Sequence, residues 1–212
     1  MLDVNDLLAG LAKERPVFHS EADFQHSLAW QLHLHHPTAQ IRLERVFDSP
    51  IGRLHIDMYA VVDDQTYLFE LKYKTCAALF SVGDEKFHLQ NHGAHPPSRY
   101  DFAKDLARLE AAVCDSERLV LGFAILLTND KAYWSDPRGT DGVSAAFSIH
   151  EGQRLLGELH WAPTTGSGTK KNREGAIKLA AEYLLGWRDY STLSARPASN
   201  FRSLCVHVSP LR

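Results

Sequence analysis

Asp57, Glu70 and Lys72 are the residues whose types and spacing could do chemistry. Glu70 and Lys72 lie in TYLFELKYKT, residues 66–75. Read with a period of two, this stretch places Tyr67, Phe69, Leu71 and Tyr73 on one face and Leu68, Glu70, Lys72 and Lys74 on the other. A run this apolar in its first half belongs in a core strand, yet it sets a carboxylate beside an ammonium. Upstream, RLHIDMYAVV (residues 53–62) is a second β-like run, and the Asp63-Asp64 joint between the two suits a tight hairpin. With that joint as the turn, facing positions have numbers that sum to 127, so Asp57 faces Glu70. Directly opposed residues share a face, with Cβ atoms about 4.5–5.5 Å apart. Two carboxylates so placed repel, and a cation or a shared proton must offset the repulsion. Lys72 supplies one positive charge and a divalent metal would supply two. Converging carboxylates completed by water are the hard oxygen ligands that Mg²⁺ prefers. The competing reading is a surface hairpin with Glu70 and Lys72 solvated.

The elements that must position these residues follow from periodicity. Residues 3–13 read as a short amphipathic helix ended by Pro16, with Leu7, Leu8 and Leu11 on one side. A second helix is expected from about Ser20, an N-cap with Asp23 three residues on, to about Leu34. Its Phe24, Leu28 and Leu32 form a core stripe. Strands are expected at 40–47, 53–62 and 66–74, then a loop over 83–99 that ends in Pro96-Pro97. A helix over 100–114 buries Phe102, Leu106, Leu109 and Val113, and the apolar run 118–128 reads as a strand buried on both faces. Residues 143–150 and 154–161 read as an antiparallel pair, 163–171 as a basic Gly/Ser/Thr loop, about 173–187 as a helix burying Ile177, Ala180, Ala181 and Leu184, and 200–208 as a final strand. The order makes a mixed α/β domain.

The order Asp57, hairpin, Glu70-Leu71-Lys72, carried by HIDMYAVVD and YLFELKYK, resembles the PD-(D/E)XK nuclease superfamily, which has the restriction-endonuclease-like fold. In that family an early helix precedes a β-meander, with the Asp on the second strand and the E-x-K on the third. The early helix often adds a Glu, and Glu21 in HSEADFQHSLAWQL occupies that place. Ile56 rather than Pro precedes Asp57. The resemblance is close over residues 19–75 and looser to about 130, so it implies a single domain over 1–212 with its core at about 19–130 and a C-terminal elaboration at about 131–212. It implies an α/β fold with a central mixed β-sheet flanked by helices. It also implies a Mg²⁺-dependent deoxyribonuclease of restriction, repair or defence, with Mn²⁺ as a substitute. Asp57, Glu70 and the backbone carbonyl of Leu71 would bind the metal. Glu21 would orient its water or support a second ion, and Lys72 would hold or activate the attacking water. Phosphodiester hydrolysis needs such a metal to polarise the phosphoryl oxygen and activate water, and a cation at the developing charge adds stabilisation. Relatives that cut two strands act as dimers, so a homodimer is expected. The rival of another class is a non-catalytic nucleic-acid-binding or protein-interaction module that keeps the fold. A glycosidase with paired carboxylates fits less well, because Lys72 suits a phosphate better than an oxocarbenium ion.

Other features are weaker. GSGTKKNRE, at 166–174, fails the P-loop spacing, but Lys170, Lys171 and Arg173 ahead of a helix would suit a DNA backbone. Lys104 and Arg108 could line the same groove, but read more simply as surface charges paired with Asp101, Asp105 and Glu110. His33 and His36 read as a helix end favoured by the dipole. His88, His92 and His95 read as polar loop residues, and Trp134, Trp161 and Trp187 as core.

Composition bounds the rest. The 212 residues are 44% hydrophobic and 23% charged, a globular balance. The net charge is −3, but from Pro163 onward eight Lys and Arg stand against three acids, a local +5 that leaves −8 elsewhere. That asymmetry permits a basic surface on an acidic protein. Three separated cysteines form no zinc or disulfide pattern. Neither a secretory signal nor a transmembrane run is present, which together with the thiols gives a cytoplasmic expectation.

Overall fold

The computed structural model describes residues 2–49, 52–114, 119–136 and 142–210. Arg118, at the head of the expected buried strand, lies outside them. Helix α1 is Val4–Glu14, opened by the Asp3 carboxylate, which accepts from the backbone N–H of Asn5 and Asp6 at 2.9 and 3.1 Å. Helix α2 is Glu21–His35, capped by the Ser20 hydroxyl on the Asp23 N–H. Three strands follow: β1 Gln40–Ser49, β2 Gly52–Val62 and β3 Gln65–Lys74. Asp63 and Asp64 both take positive φ, 48° and 64°, as a two-residue hairpin turn requires. The β2–β3 pairs run from Val62–Gln65 to Met58–Phe69, the register that the turn predicts.

Residues 83–99 are not a loop. Ala78–Val82 (β4) and Glu85–Leu89 (β5) form a hairpin, and helix α3 runs His95–Cys114. Phe87 and Leu89 alternate into the core while their neighbours face out. Pro96 and Pro97 sit in the first turn of α3, where proline's missing N–H has no helical partner to lose. Strand β6, Val120–Thr128, is buried at every position and pairs parallel to β3 across the α3 crossover.

The C-terminal third differs most from expectation. Residues 145–147 make a single 3₁₀ turn, so the expected pairing of 143–150 with 154–161 is absent. Arg154–Leu159 (β7) pairs with Ile177–Leu184 (β8), which replaces the expected helix; between them Ser167–Lys170 is one turn of helix, α4. Ala, Leu and Glu give this segment helical propensity, but Ile177, Leu179 and Tyr183 are buried at a period of two. Pairing with β7 wins over local preference. Ala180 is exposed, and Leu184 is 62% exposed rather than buried. Trp187–Thr192 (β9) and Asn200–Val208 (β10) complete the central sheet.

The result is an α/β architecture with a six-stranded mixed sheet, ordered β1-β2-β3-β6-β10-β9, and four helices among the described residues. Helices α1 and α2 cover one face: Leu7, Leu11, Phe24, Leu28 and Leu32 pack against Met58, Phe69, Leu71 and Tyr73. Fully burying each such side chain stabilises by about 1.5–3 kcal/mol. Helix α3, with the β7–β8 pair, covers the other face over Leu68, Ala124, Leu126 and Leu204. Trp187 is buried in this second core, with Trp134 and Trp161 partly buried against it. All three cysteines are free thiols. No helix among the described residues is long and apolar enough to cross a membrane.

Candidate active site

Asp57 sits where both ladders of β2 lapse. On the β3 side the pairing ends at Met58–Phe69, one step before Asp57 would meet Glu70. The Leu71 N–H donates instead to Asp57 Oδ2 at 2.6 Å. On the β1 side, Leu43–Met58 and Arg45–Ile56 are paired, but Glu44, which faces Asp57 between them, has φ 51°. That conformation is uncommon for a residue with a side chain. The buried Gln25 of α2 fills the gap. Its Nε2 donates to the Asp57 carbonyl at 2.6 Å and to Glu44 Oε1 at 2.8 Å.

The edge of β3 freed by this parting is capped by side chains. Leu71, Tyr73 and Thr75 are alternate residues whose N–H groups point to one edge. They donate to Asp57 at 2.6 Å, to Glu21 Oε2 at 2.8 Å and to His92 Nδ1 at 3.0 Å. Glu21 also lies 3.7 Å from the Lys74 ammonium. It therefore borders the site from the first turn of α2. Among the described residues, no group of three or more His, Cys, Asp and Glu side chains is placed to hold a metal ion.

The other half of the site comes from α3, which runs antiparallel to β3. Glu70 meets Arg108 (Nη2 to Oε1, 3.1 Å), and Lys72, two residues on, meets Asp105 (Nζ to Oδ2, 2.9 Å). Arg108 Nη1 closes the chain on Asp105 Oδ1 at 3.1 Å, and its Nη2 also donates to the His55 carbonyl at 2.5 Å. Glu70 is 2% exposed and the Asp105 side chain 6%. Asp105 and Arg108 are thus not ordinary surface charges: they line the site. The signal was present in the sequence, since Asp105 falls three residues after Phe102 and four before Leu109, on the helix's buried stripe. Gln25, one residue after Phe24, gave no such signal.

The electrostatics are those of crowded acids. Burial, then Asp105 and Asp57, push Glu70 up to about 9, against the pull of Arg108 and Lys72. Burial also raises Asp57, although the Leu71 N–H and Lys72 lower it. For Lys72, burial disfavours the charge, but the charge and hydrogen bond of Asp105 and the charge of Asp57 outweigh it and hold the ammonium above the usual lysine range. Glu70 Oε1 and Asp105 Oδ2 are buried with no well-aligned hydrogen bond, although cations lie within 3.1 Å of each. Each is thus already faced by a cation, Arg108 for Glu70 and Lys72 for Asp105. By type, two carboxylates and a backbone carbonyl are oxygen donors of the kind a hard divalent ion takes, not the His and Cys of a zinc site.

The other sequence candidates fall along the same helix or away from it. Arg173 forks onto Asp101 with two bonds of 2.7 Å, and Asp101 lies one turn before Asp105 on α3, about 6 Å along its axis. Lys171 is exposed beside it and Lys170 half-buried. Of this basic segment, Arg173 is committed to Asp101 of α3. His92 caps Thr75, whereas His95 bonds Asp130 at 2.6 Å beyond the end of β6. His88 is exposed on β5, and His33 and His36 lie at the C-terminal end of α2. No protein-family model, no curated protein and no solved structure matches this chain.

Proposed function

We propose that this protein is a Mg²⁺-dependent nuclease that hydrolyses DNA phosphodiester bonds, built on a restriction-endonuclease-like core. The observation that carries the reading is Glu70, a carboxylate buried against Arg108 near Asp57, where β2 and β3 part. The element order α2-β1-β2-β3, then the β4–β5 hairpin, α3 and β6, with β3 parallel to β6, supports the fold assignment, and the α/β sheet with helices on both faces agrees with it.

Asp57, Glu70 and the Leu71 carbonyl would hold the ion, Mg²⁺ or Mn²⁺. Once bound it supplies charge at the phosphoryl oxygen and a more acidic water. The chain supplies the rest. Lys72, kept protonated by Asp105, acts as a cation that holds a water or phosphate oxygen rather than as a base. Glu21 steadies the β3 edge through Tyr73. Lys170, Lys171 and Arg173 would meet the DNA backbone.

A second reading has one observation in its favour. Arg108 already neutralises part of the acid cluster, as in a self-contained ionic network of a non-catalytic nucleic-acid-binding or protein-interaction module. Incubation with supercoiled plasmid, linear duplex and single-stranded DNA, in Mg²⁺, Mn²⁺ or EDTA, separates the two. The nuclease cuts at least one substrate with metal only, and Asp57→Asn abolishes the cut. The module cuts none and gains no thermal stability from metal.

A further inference from the structure

We infer that Arg108 is the resident counter-cation of Glu70, competing with the divalent ion for that carboxylate and thereby setting the metal affinity of the site. The inference rests on the metal-site reading above and deepens it. Three observations carry it. The Arg108 guanidinium reaches Glu70 Oε1, the same oxygen that has no aligned hydrogen bond, at 3.1 Å. Its Nη1 donates to Asp105 and the same Nη2 donates to the His55 carbonyl, so its position is built and not a chance rotamer. Glu70 is buried, so an ion that engages it must share its surroundings with the guanidinium or displace it. Like charges at such separations repel strongly where water is excluded. Arg108 therefore opposes metal entry.

The test is Mn²⁺ binding by calorimetry at one fixed pH, on the full chain, with thermal melting as a check of folding. Arg108→Met removes the charge and is expected to bind Mn²⁺ about tenfold more tightly. Arg108→Lys keeps a charge in the site, and with it the fold, but cannot bridge Glu70 and Asp105 at once. Its affinity is expected to fall between wild type and Arg108→Met. Affinities in both variants equal to or weaker than wild type, with wild type binding Mn²⁺, would overturn the competition while leaving the metal site intact. Absence of Mn²⁺ binding in all three proteins would overturn the metal site and this inference together. Binding gained only on removal of Arg108 would be the clearest support.

Discussion

Glu70 joins the chemistry of the site to the stability of the chain. Its carboxyl is pushed from the ordinary 4.5 to about 9 in the folded protein, chiefly by burial. Between those values the folded chain keeps a proton that the unfolded chain has lost. Stability of the metal-free protein is therefore greatest at the acid end of this window. It declines as pH rises, by up to about 1.4 kcal/mol per pH unit, and levels off above the folded value. Urea denaturation in EDTA at several pH values should show this slope, and Glu70→Gln should flatten it. A flat profile over the same range, unchanged by Glu70→Gln, would mean that Glu70 is ionised in the fold. The register from Val62–Gln65 to Met58–Phe69, one step short of Asp57 and Glu70, was legible from the two-residue turn. The departure of the two strands just before that pair was not. It depends on Gln25 and Glu44, which approach from other elements.

At the level of elements, the Asp63-Asp64 turn sets the register on which the site depends. Both residues hold positive φ, which Asp tolerates and Asn-Gly prefers. Replacing the pair with Asn-Gly should stabilise the protein by about 0.5–1 kcal/mol, read as a higher denaturation midpoint with no change in Mn²⁺ affinity. Lost stability would mean that the carboxylates contribute something beyond the turn. The helices α1 and α2 and the meander were readable because each repeats its apolar residues at one clear period, and β6 because its apolar run is unbroken. The segment 177–184 was not. Its Ala, Leu and Glu favour a helix locally, and only the partner strand β7 decides otherwise. The start of α3 was hidden in the same way, since proline marks either an ending or a first turn.

Across the whole molecule, α3 binds the central sheet to the C-terminal pair of strands. Glu110 does most of the joining. It is buried, and its carboxylate accepts from the N–H groups of Ala180 and Ala181 and from the Tyr183 hydroxyl at 2.8–2.9 Å. Glu110→Gln places an amide donor against those donors and should cost about 1–3 kcal/mol by chemical denaturation. Because Asp105 and Arg108 lie on the turns before Glu110, the same helix carries the site's second half. Loosening it should also weaken metal binding. Unchanged stability would remove Glu110 from this role. Nothing in the sequence alone pointed to the clamp, since its partners lie seventy and more residues away. Its position four residues after Leu106 and three before Val113 did mark it as facing inward.

The most direct measurement is the initial rate of plasmid cleavage in saturating Mg²⁺ by wild type and Lys72→Ala, with Mn²⁺ affinity measured on both. Lys72 is assigned to the reacting phosphate and water, not to the metal. Its removal should lower the rate by about 10²–10³-fold and leave Mn²⁺ bound at least as tightly as in wild type. A Lys72→Ala protein that cuts at the wild-type rate would contradict the assignment of Asp57, Glu70 and Lys72 as a phosphodiesterase centre.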